Sequence, residues 1–399
     1  MTSWSIVPGS VFLFFLLLGW VGCANPSNHP SAPAPAPVPD NRSWASLGPA
    51  GFSSAGATDP SLAVSSTGSV YLAYSEAASG KTTVRRFNGT SWDLVGDAGF
   101  GPPATPRLAV DSADRPIVTF VDGSKNSRAL TMQFDGQAWQ PGGQADFTPN
   151  NNGTAASLVG GGGHLYSAFE MLDSAPTSGN PRVFQYDGTT WTVLAPTPAS
   201  LFADLNYHWP ASLAVDSGGT PYLATQDQSL DGRATVLKWN GTNWTRVGAA
   251  GFSQGGISQG AAVFVPALAF DSLDHPYLAY IQDQSGPEPK VSVMKFNGTD
   301  WSLVGPAGIS PAVVESSLMV VDTLDVPFVS YIQTNGATWP VEVLKFDGTA
   351  WVGTGPEGTA TVGTTVSVSG SFVKGPSGAV YLAFIDHDSG DKITVMVYR

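Results

Sequence analysis

The chain has 399 residues and a formal net charge of −13; 42% of its residues are hydrophobic and 12% are charged. This acidic balance disfavours nucleic acid and anionic lipid surfaces as partners, because scattered basic residues do not offset phosphate repulsion. Glycine (46 residues) and proline (31 residues) together break helices too often for a helical protein, while 11% aromatic residues suffice for a core.

The N-terminus is predicted to be a signal peptide, residues 1–22. The apolar run VFLFFLLLGWVG, residues 11–22, is shorter than the roughly 20 residues that a membrane-spanning helix needs. The run ends at Cys23, the only cysteine of the chain. Because a single cysteine forms no internal disulfide, Cys23 needs another purpose in an exported protein.

The segment WVGC, residues 20–23, resembles the lipobox of bacterial lipoproteins. The resemblance implies that Cys23 is lipidated and that the lipid alone holds the protein to the membrane of the cell envelope. An ordinary cleaved signal peptide, with a secreted product and an unused thiol, is the alternative. Residues 23–42, which contain SAPAPAPVPD, are predicted to be a semi-extended spacer.

A short phrase then recurs through the chain: an aromatic residue, Asn or Asp, Gly, two further residues and Trp. Its copies end at Trp92, Trp139, Trp191, Trp244, Trp301 and Trp351. The phrase contains a turn at its Asn-Gly or Asp-Gly pair. Trp44 is followed by the segment that comes after this turn in other copies, whereas the C-terminal ITVMVYR matches only the segment that comes before it. Residues 43–399 therefore make seven units of about 50 residues, a period that indicates a β-propeller.

Each unit contains four short apolar or alternating runs, which predict four antiparallel strands. An Asn-Gly or Asp-Gly hairpin joins the third strand to the fourth, so the tryptophan strand is expected at the outer edge of its blade. The predicted fold is an all-β, seven-bladed propeller. Its ring is closed by the N-terminal strand, about residues 43–48, which joins the three C-terminal strands and removes their open edge.

The hairpin phrase, as in FDGTAW ending at Trp351, resembles the Asp-box of neuraminidase-type repeats. The resemblance implies a hairpin between the third and fourth strands of propeller blades. It concerns scaffold residues and implies a fold, and it brings sialidase-type glycosidases among the functional classes to consider.

Residues at equivalent repeat positions are predicted to be structural. The seven tryptophans are expected to pack between blades, as are the phenylalanines Phe52, Phe100 and Phe252. Four aspartates are expected to accept backbone N–H groups in the inner turns: Asp111, Asp216, Asp271 and Asp322.

Candidate binding residues depart from the repeat. The loop Pro196–Ala211 and the residue Trp339 have no repeat equivalent, and they lie where length varies between units. Stacking aromatic faces beside polar side chains suit sugar or peptide recognition. The predicted binding residues are Asp204, Asn206, Tyr207, His208, Trp209 and Trp339, with Phe147 and Phe264 in neighbouring loops. The alternative is that the long loop plugs the channel mouth.

Two segments space carboxylates somewhat as a calcium loop does: DQSLDG, residues 227–232, with Asp227 and Asp231 as candidate ligands, and, less well, DHDSGD, residues 386–391. The twelfth position of the first is Lys238 rather than glutamate, which favours a solvated loop. Apart from this possible calcium ion, no cofactor is predicted.

Three functions remain open from the sequence. The first is an exported, anchored, non-catalytic module, expected to be a monomer, that binds a glycan, an envelope polymer or a protein. The second is a glycosidase or polysaccharide lyase with its site on the variable loops. The third is a structural assembly component without a small ligand.

Overall fold

The computed structural model describes residues 40–148, 152–172, 179–194, 212–227, 230–253, 266–282, 289–311, 313–333, 339–364 and 366–399. These residues form β-strands and short 3-10 segments at Gly123–Lys125, Pro356–Gly358 and His387–Ser389. Within these ranges no helix is long and apolar enough to cross a membrane.

The strands form seven antiparallel sheets, the blades of a propeller. From inner to outer strand, blade 1 has β2 (Ala57–Val64), β3 (Val70–Glu76), β4 (Thr82–Phe87) and β5 (Trp92–Leu94). Blade 2 has β6 (Arg107–Val110), β7 (Pro116–Asp122), β8 (Arg128–Phe134) and β9 (Trp139–Pro141). Blade 3 has β10 (Asn152–Gly161), β11 (His164–Leu172), β12 (Gly179–Tyr186) and β13 (Trp191–Val193).

The next three blades repeat this order. Blade 4 has β14 (Ser212–Val215), β15 (Pro221–Asp227), β16 (Arg233–Trp239) and β17 (Trp244–Arg246). Blade 5 has β18 (Ala267–Phe270), β19 (Pro276–Gln282), β20 (Lys290–Phe296) and β21 (Trp301–Leu303). Blade 6 has β22 (Val314–Val321), β23 (Pro327–Gln333), β24 (Val341–Phe346), β25 (Trp351–Gly353) and the additional β26 (Thr361–Gly363), which pairs with β24.

Blade 7 closes the ring. It has β27 (Val366–Lys374), β28 (Val380–Asp386), β29 (Lys392–Tyr398) and, as its outer strand, the N-terminal β1 (Trp44–Ser46). Trp44 pairs with Tyr398 and Ser46 pairs with Met396. The inner strands contact one another in the order β2, β6, β10, β14, β18, β22, β27 and back to β2. The predicted seven-bladed fold and its closure by the N-terminal strand are confirmed.

The connections emerge at opposite ends of the ring. Turns between first and second strands and hairpins between third and fourth strands lie at one end, the short-turn face. Connections between second and third strands and between blades lie at the other end, the variable face. There Ala77 N–H donates to the Gly56 carbonyl, and Ala104 N–H donates to the Gly80 carbonyl.

The outer-strand tryptophans join neighbouring blades. In four blades the indole N–H of this tryptophan donates to a backbone carbonyl just after the outer strand of the preceding blade, a segment that we call the blade exit. The pairs are Trp92 with Leu47, Trp139 with Val95, Trp301 with Val247 and Trp351 with Val304, at 2.7–2.8 Å. Phe52, Phe100 and Phe252 stack on Trp92, Trp139 and Trp301, with ring centroids 4.2–4.9 Å apart. Their predicted role in packing between blades is confirmed.

Phe147 also belongs to this packing. Its ring stacks on Trp191 with centroids 4.6 Å apart and an interplanar angle of 8°. It lies in the connection between blades 2 and 3, as predicted, and the stacking gives it a structural role there. The residue before each of Phe52, Phe100 and Phe252 is a left-handed glycine, whereas Asp146 takes that conformation before Phe147 (φ 54°). Aspartate tolerates this region better than most residues, so the repeat is kept without its glycine.

Carboxylates and amides shape the turns. The Oδ1 of Asp111, Asp271 and Asp322 accepts the backbone N–H groups two and four residues later, and Asp216 accepts the N–H of Thr220. In the outer hairpins Asn88 accepts the N–H groups of Thr90 and Ser91, and Asp347 accepts those of Thr349 and Ala350. The predicted structural role of the inner-turn aspartates is confirmed.

A glycine beside the blade-joining tryptophan leads to a stability prediction. Gly248 has φ +75°, and a Cβ there would lie 2.9 Å from Phe296 Cε2 and 3.0 Å from Trp301 Cδ1. Gly248→Ala is expected to lower the free energy of unfolding by about 1–3 kcal/mol more than Gly68→Ala. Gly68 has φ +86° and open space around its Cβ position, so it carries the backbone cost alone. Chemical denaturation of both variants checks this, and equal losses would contradict the packing argument.

A strap of three residues precedes β1 on the short-turn face. The guanidinium Nη1 of Arg42 donates to Asp322 Oδ2 of blade 6 at 2.8 Å and lies over the rings of Phe328 and Tyr398. The Oδ2 of Asp40 accepts from Lys345 Nζ at 2.6 Å and from the Tyr398 hydroxyl at 3.2 Å. The strap therefore connects blades 6 and 7 next to β1, the strand that closes the ring.

Candidate functional site

Most of the predicted binding residues fall outside the described part of the chain. These are Asp204, Asn206, Tyr207, His208 and Trp209, and the same holds for Phe264 and for Cys23, the predicted lipid attachment site. Their roles stay predictions.

Trp339 lies at the start of the segment that leads into β24. It is half-buried and packs against the cluster between blades 6 and 7, which includes Phe372 and Phe384. Its backbone carbonyl accepts the N–H of Val366 at 3.0 Å. This indole therefore contacts the core between these blades, and a binding role for it stays a prediction.

The candidate calcium residues lie at the connection between β15 and β16. Asp227 is 1% exposed and its backbone carbonyl accepts the N–H of Gly232, while Asp231 takes a left-handed conformation with φ 56°. In the described ranges no group of three His, Cys, Asp or Glu side chains is placed to hold a metal ion. A calcium site here stays a prediction.

The inner strands enclose an axial channel with a cavity at each end. The cavity at the variable face, which we call the upper chamber, measures about 370 Å³. Its described lining comes from the starts of the inner strands and contains both serine hydroxyls and apolar side chains. The apolar part is a belt of one residue per blade: Leu62, Leu108, Leu158, Leu213, Leu268, Met319 and Phe372.

Serines of the upper chamber also tie the inner strands together. Ser61 Oγ of blade 1 accepts the N–H of Leu108 in blade 2 at 2.9 Å. Ser371 of blade 7 accepts the N–H of Leu62 in the same way, and Ser212 of blade 4 accepts that of Leu268 at 3.3 Å. A small hydroxyl residue at this position therefore has a structural function in three blades.

Blade 2 departs from this pattern with Arg107, and blade 1 contributes Asp59. Both side chains line the upper chamber and are half-buried. Burial lowers the pKa of Arg107, and the nearby Asp59 carboxylate opposes that shift. The two charges therefore lie close enough to interact across the boundary between blades 1 and 2.

The backbone at Asp59 is unusual. Asp59 has φ 53°, although it precedes a proline, which favours extended backbone for the residue before it. The pairing of β2 with β3 shifts register between Thr58 and Ser61, which marks a β-bulge. Such local strain persists where the surrounding structure enforces it, and it is common at binding sites. Among the described residues that line the upper chamber, Asp59 is the only carboxylate.

Asp59 and Arg107 are not among the residues predicted from the sequence. The available signal was the change from PSLAV at residues 60–64 to PRLAV at residues 106–110, where arginine replaces the repeated serine. The arrangement offers a guanidinium donor, a carboxylate acceptor and hydroxyls above an apolar belt. Such a chamber can bind a small amphipathic group that carries several hydroxyls.

The cavity at the short-turn face, the lower chamber, measures about 560 Å³; it shares the seven residues of the apolar belt with the upper chamber and differs in its polar groups. Lys374 lies here at the position that holds Val64, Val110, Val215 or Val321 in other blades, and burial lowers its pKa. His164 and Asp111 also line it. The second oxygen of Asp111 is engaged by Arg115 and Gln133.

The comparisons with known proteins identify the fold and no more. No family model matches the chain, and no curated protein sequence matches it. Solved structures that are similar include an ulvan lyase, described as a new family of polysaccharide lyase (11% identity, 86% of this chain, 94% of the lyase, TM-score 0.54). A puromycin hydrolase is also similar (10% identity, 84% of this chain, 51% of the hydrolase, TM-score 0.51).

A fucose-specific lectin from Aleuria aurantia shares 13% identity over 88% of this chain and 97% of the lectin, with a TM-score of 0.44. At such identities the likeness to the lyase and the hydrolase shows a shared fold alone, and the lectin, with its lower TM-score, adds no argument. The class of this protein, a seven-bladed β-propeller, follows from its own sheet topology. What these proteins bind or cleave does not transfer from the likeness itself.

Proposed function

We propose that this protein is an exported β-propeller, anchored to the cell envelope through Cys23, which binds a ligand without transforming it. Its proposed ligand is a glycan, as a free chain or as part of an envelope polymer. The observation that carries this proposal is the upper chamber, where Asp59 and Arg107 lie above the apolar belt.

Sugars present hydroxyl groups around an apolar ring face. A carboxylate accepts hydrogen bonds from hydroxyls, a guanidinium donates to oxygen atoms in a fixed planar geometry, and apolar side chains contact the ring face. Asp59 and Arg107 carry opposite charges, so together they suit a neutral or weakly charged group better than a polyanion. The net charge of −13 acts in the same direction by repelling polyanions.

A glycosidase or polysaccharide lyase is the second candidate, and the strained backbone at Asp59 is the observation that favours it. Most glycosidases use two carboxylates that flank the scissile bond. The described part of the upper chamber supplies one, Asp59. We therefore place binding ahead of catalysis, with a structural assembly role as the remaining alternative.

Binding to a panel of glycans and envelope polysaccharides tests the proposal, with Arg107→Ser and Asp59→Asn as the variants. Loss of one charge-assisted pair of hydrogen bonds is expected to weaken binding about 10- to 100-fold. Arg107→Ser introduces the residue that the repeat has elsewhere, so its fold is expected to be retained. Lys374→Val, at the lower chamber, serves as the matched control and is expected to bind as the wild type does.

Wild-type affinity in the Arg107→Ser variant would contradict a site in the upper chamber. Product formation from any glycan in a turnover assay would favour the enzyme instead. Absence of binding to the whole panel, together with capture of a defined protein partner, would favour the assembly role.

A further inference from the structure

A row of three polar side chains crosses the sheet of blade 6. Ser317 in β22 pairs with Tyr331 in β23, and Tyr331 pairs with Glu342 in β24. Directly opposed residues in antiparallel strands project from the same face, with Cβ atoms about 4.5–5.5 Å apart. The three residues are 4%, 1% and 9% exposed, so the row is buried.

Each member of the row has a buried oxygen without a well-formed hydrogen bond in the protein, and the Tyr331 hydroxyl interacts with the Glu342 carboxylate. These atoms are Ser317 Oγ, the Tyr331 hydroxyl and Glu342 Oε2. Most buried polar atoms in proteins have a partner, and an unpaired carboxylate oxygen in apolar surroundings is costly. Tyr331 packs in the cluster between blades 5 and 6, among side chains such as Val293 and Val329. The row therefore collects three unsatisfied oxygen atoms beside an apolar core.

Blade 6 departs from the repeat at this point. The position of Glu342 holds a short hydroxyl residue in four other blades, where that hydroxyl accepts the N–H of a glycine of a blade exit. These hydroxyl residues are Thr83, Thr235, Ser292 and Thr394, and their donors are Gly99, Gly251, Gly308 and Gly51. A glutamate in their place adds a negative charge that inter-blade packing does not require.

In blades 1 and 5 the equivalent tyrosine has a hydrogen-bond partner from the third strand. The equivalent Tyr74 hydroxyl accepts from Arg85 Nε at 3.1 Å, and the equivalent Tyr280 hydroxyl donates to Met294 Sδ at 3.6 Å. In blade 6 the corresponding residue of the third strand is Leu344, which offers neither a donor nor an acceptor.

We propose that Ser317, Tyr331 and Glu342 bind a monovalent metal cation, sodium or potassium, within blade 6. Carboxylate and hydroxyl oxygens are hard ligands that suit hard cations. One carboxylate balances one positive charge, whereas a divalent ion would leave an uncompensated charge beside the apolar cluster. In the described ranges no group of three His, Cys, Asp or Glu side chains is placed to hold a metal ion, and this row offers one carboxylate and two hydroxyls instead.

The site adjoins the upper chamber, because Ser317 also lines that cavity. A bound cation would tie β22, which lines the chamber on the blade 6 side, to β23 and β24. The proposal does not depend on the identity of the chamber ligand.

Thermal unfolding of the full chain in different chloride salts tests the site. A ligand that binds only the folded state raises the melting temperature as its concentration rises. We expect sodium or potassium chloride to raise the melting temperature by several degrees over choline chloride at equal ionic strength. Glu342→Gln and Glu342→Thr are expected to abolish that difference, and Glu357→Gln, at an exposed glutamate, is expected to retain it.

Glu342→Thr is expected to fold normally, since threonine or serine stands at this position in four other blades, so it separates loss of the cation from a folding defect. Equal melting temperatures of the wild type in all three salts would overturn the proposal and would leave ordered water as the partner of the row. A sodium or potassium effect that persists in Glu342→Gln would also overturn it. Stabilisation by calcium chloride alone would contradict the charge argument.

Discussion

Deletion of residues 40–46 is expected to lower the melting temperature by well over ten degrees, or to abolish cooperative unfolding. The deletion removes β1, whose residues Trp44 to Ser46 pair with β29, and exposes the edge of the closing blade. It also removes the hydrogen bond from the Trp44 indole to Thr354 Oγ1 of blade 6, at 2.8 Å. Differential scanning calorimetry of the full chain and the deletion variant measures the effect.

A deletion of equal length within the Pro/Ala-rich segment, residues 31–37, is the matched control. It is expected to leave the melting temperature unchanged, because that segment has little capacity to pack. A deletion of residues 40–46 that melts with the wild type would contradict ring closure by the N-terminal strand.

Arg42→Ala is expected to lower the free energy of unfolding by about 2–4 kcal/mol, somewhat less than for a fully buried ion pair, because the Arg42 side chain is 21% exposed. The Asp322 carboxylate that Arg42 engages is fully buried, so it would lose its cationic partner. The variant also loses the guanidinium contacts with Phe328 and Tyr398, whose ring centroids lie 5.6 and 5.1 Å away. Arg42→Lys keeps the positive charge but lacks the planar guanidinium, so its free energy of unfolding should lie between those of the wild type and Arg42→Ala. Urea unfolding at neutral pH gives these values, and a loss below 1 kcal/mol would contradict the strap's role.

The same strap is expected to make stability depend on acid pH. Partial burial by itself raises the pKa of Asp40, but hydrogen bonds from Arg42 and Lys345 outweigh it, so the net pKa lies well below its usual value. A lowered folded-state pKa contributes stability that is present above the unfolded pKa of about 3.9 and is lost as pH falls below it. The decline in stability below about pH 4 should therefore be shallower in Arg42→Ala than in the wild type.

The fold was predictable because its determinants recur. The tryptophan position and the Asn-Gly or Asp-Gly hairpin return in nearly every unit, and each has a local physical reason: packing between blades or a left-handed turn. Trp44 and the C-terminal strand each lacked half of a unit, and this predicted the closure. The match of Phe147 to Phe52, Phe100 and Phe252 was harder to see, because Asp146 stands where those residues are preceded by glycine.

The candidate site was much harder to predict. Asp59 and Arg107 lie 48 positions apart, and most other units have uncharged residues at the two equivalent positions. The two side chains meet only because the ring brings the inner strands of blades 1 and 2 together at the channel. Glu342 looked like an ordinary strand residue, since its burial beside Tyr331 follows from sheet register rather than from local sequence. Aromatic loop residues such as Tyr207 attracted notice because they broke the repeat, but a position within a loop does not determine what the side chain contacts.

A crystal structure of the protein bound to the tightest glycan of the panel tests the central claim most directly. We expect a sugar residue in the upper chamber, within hydrogen-bond distance of both Asp59 and Arg107 and with its ring face toward the apolar belt. A sugar bound on the outer edge of a blade, or at the short-turn face near Lys374, would contradict it.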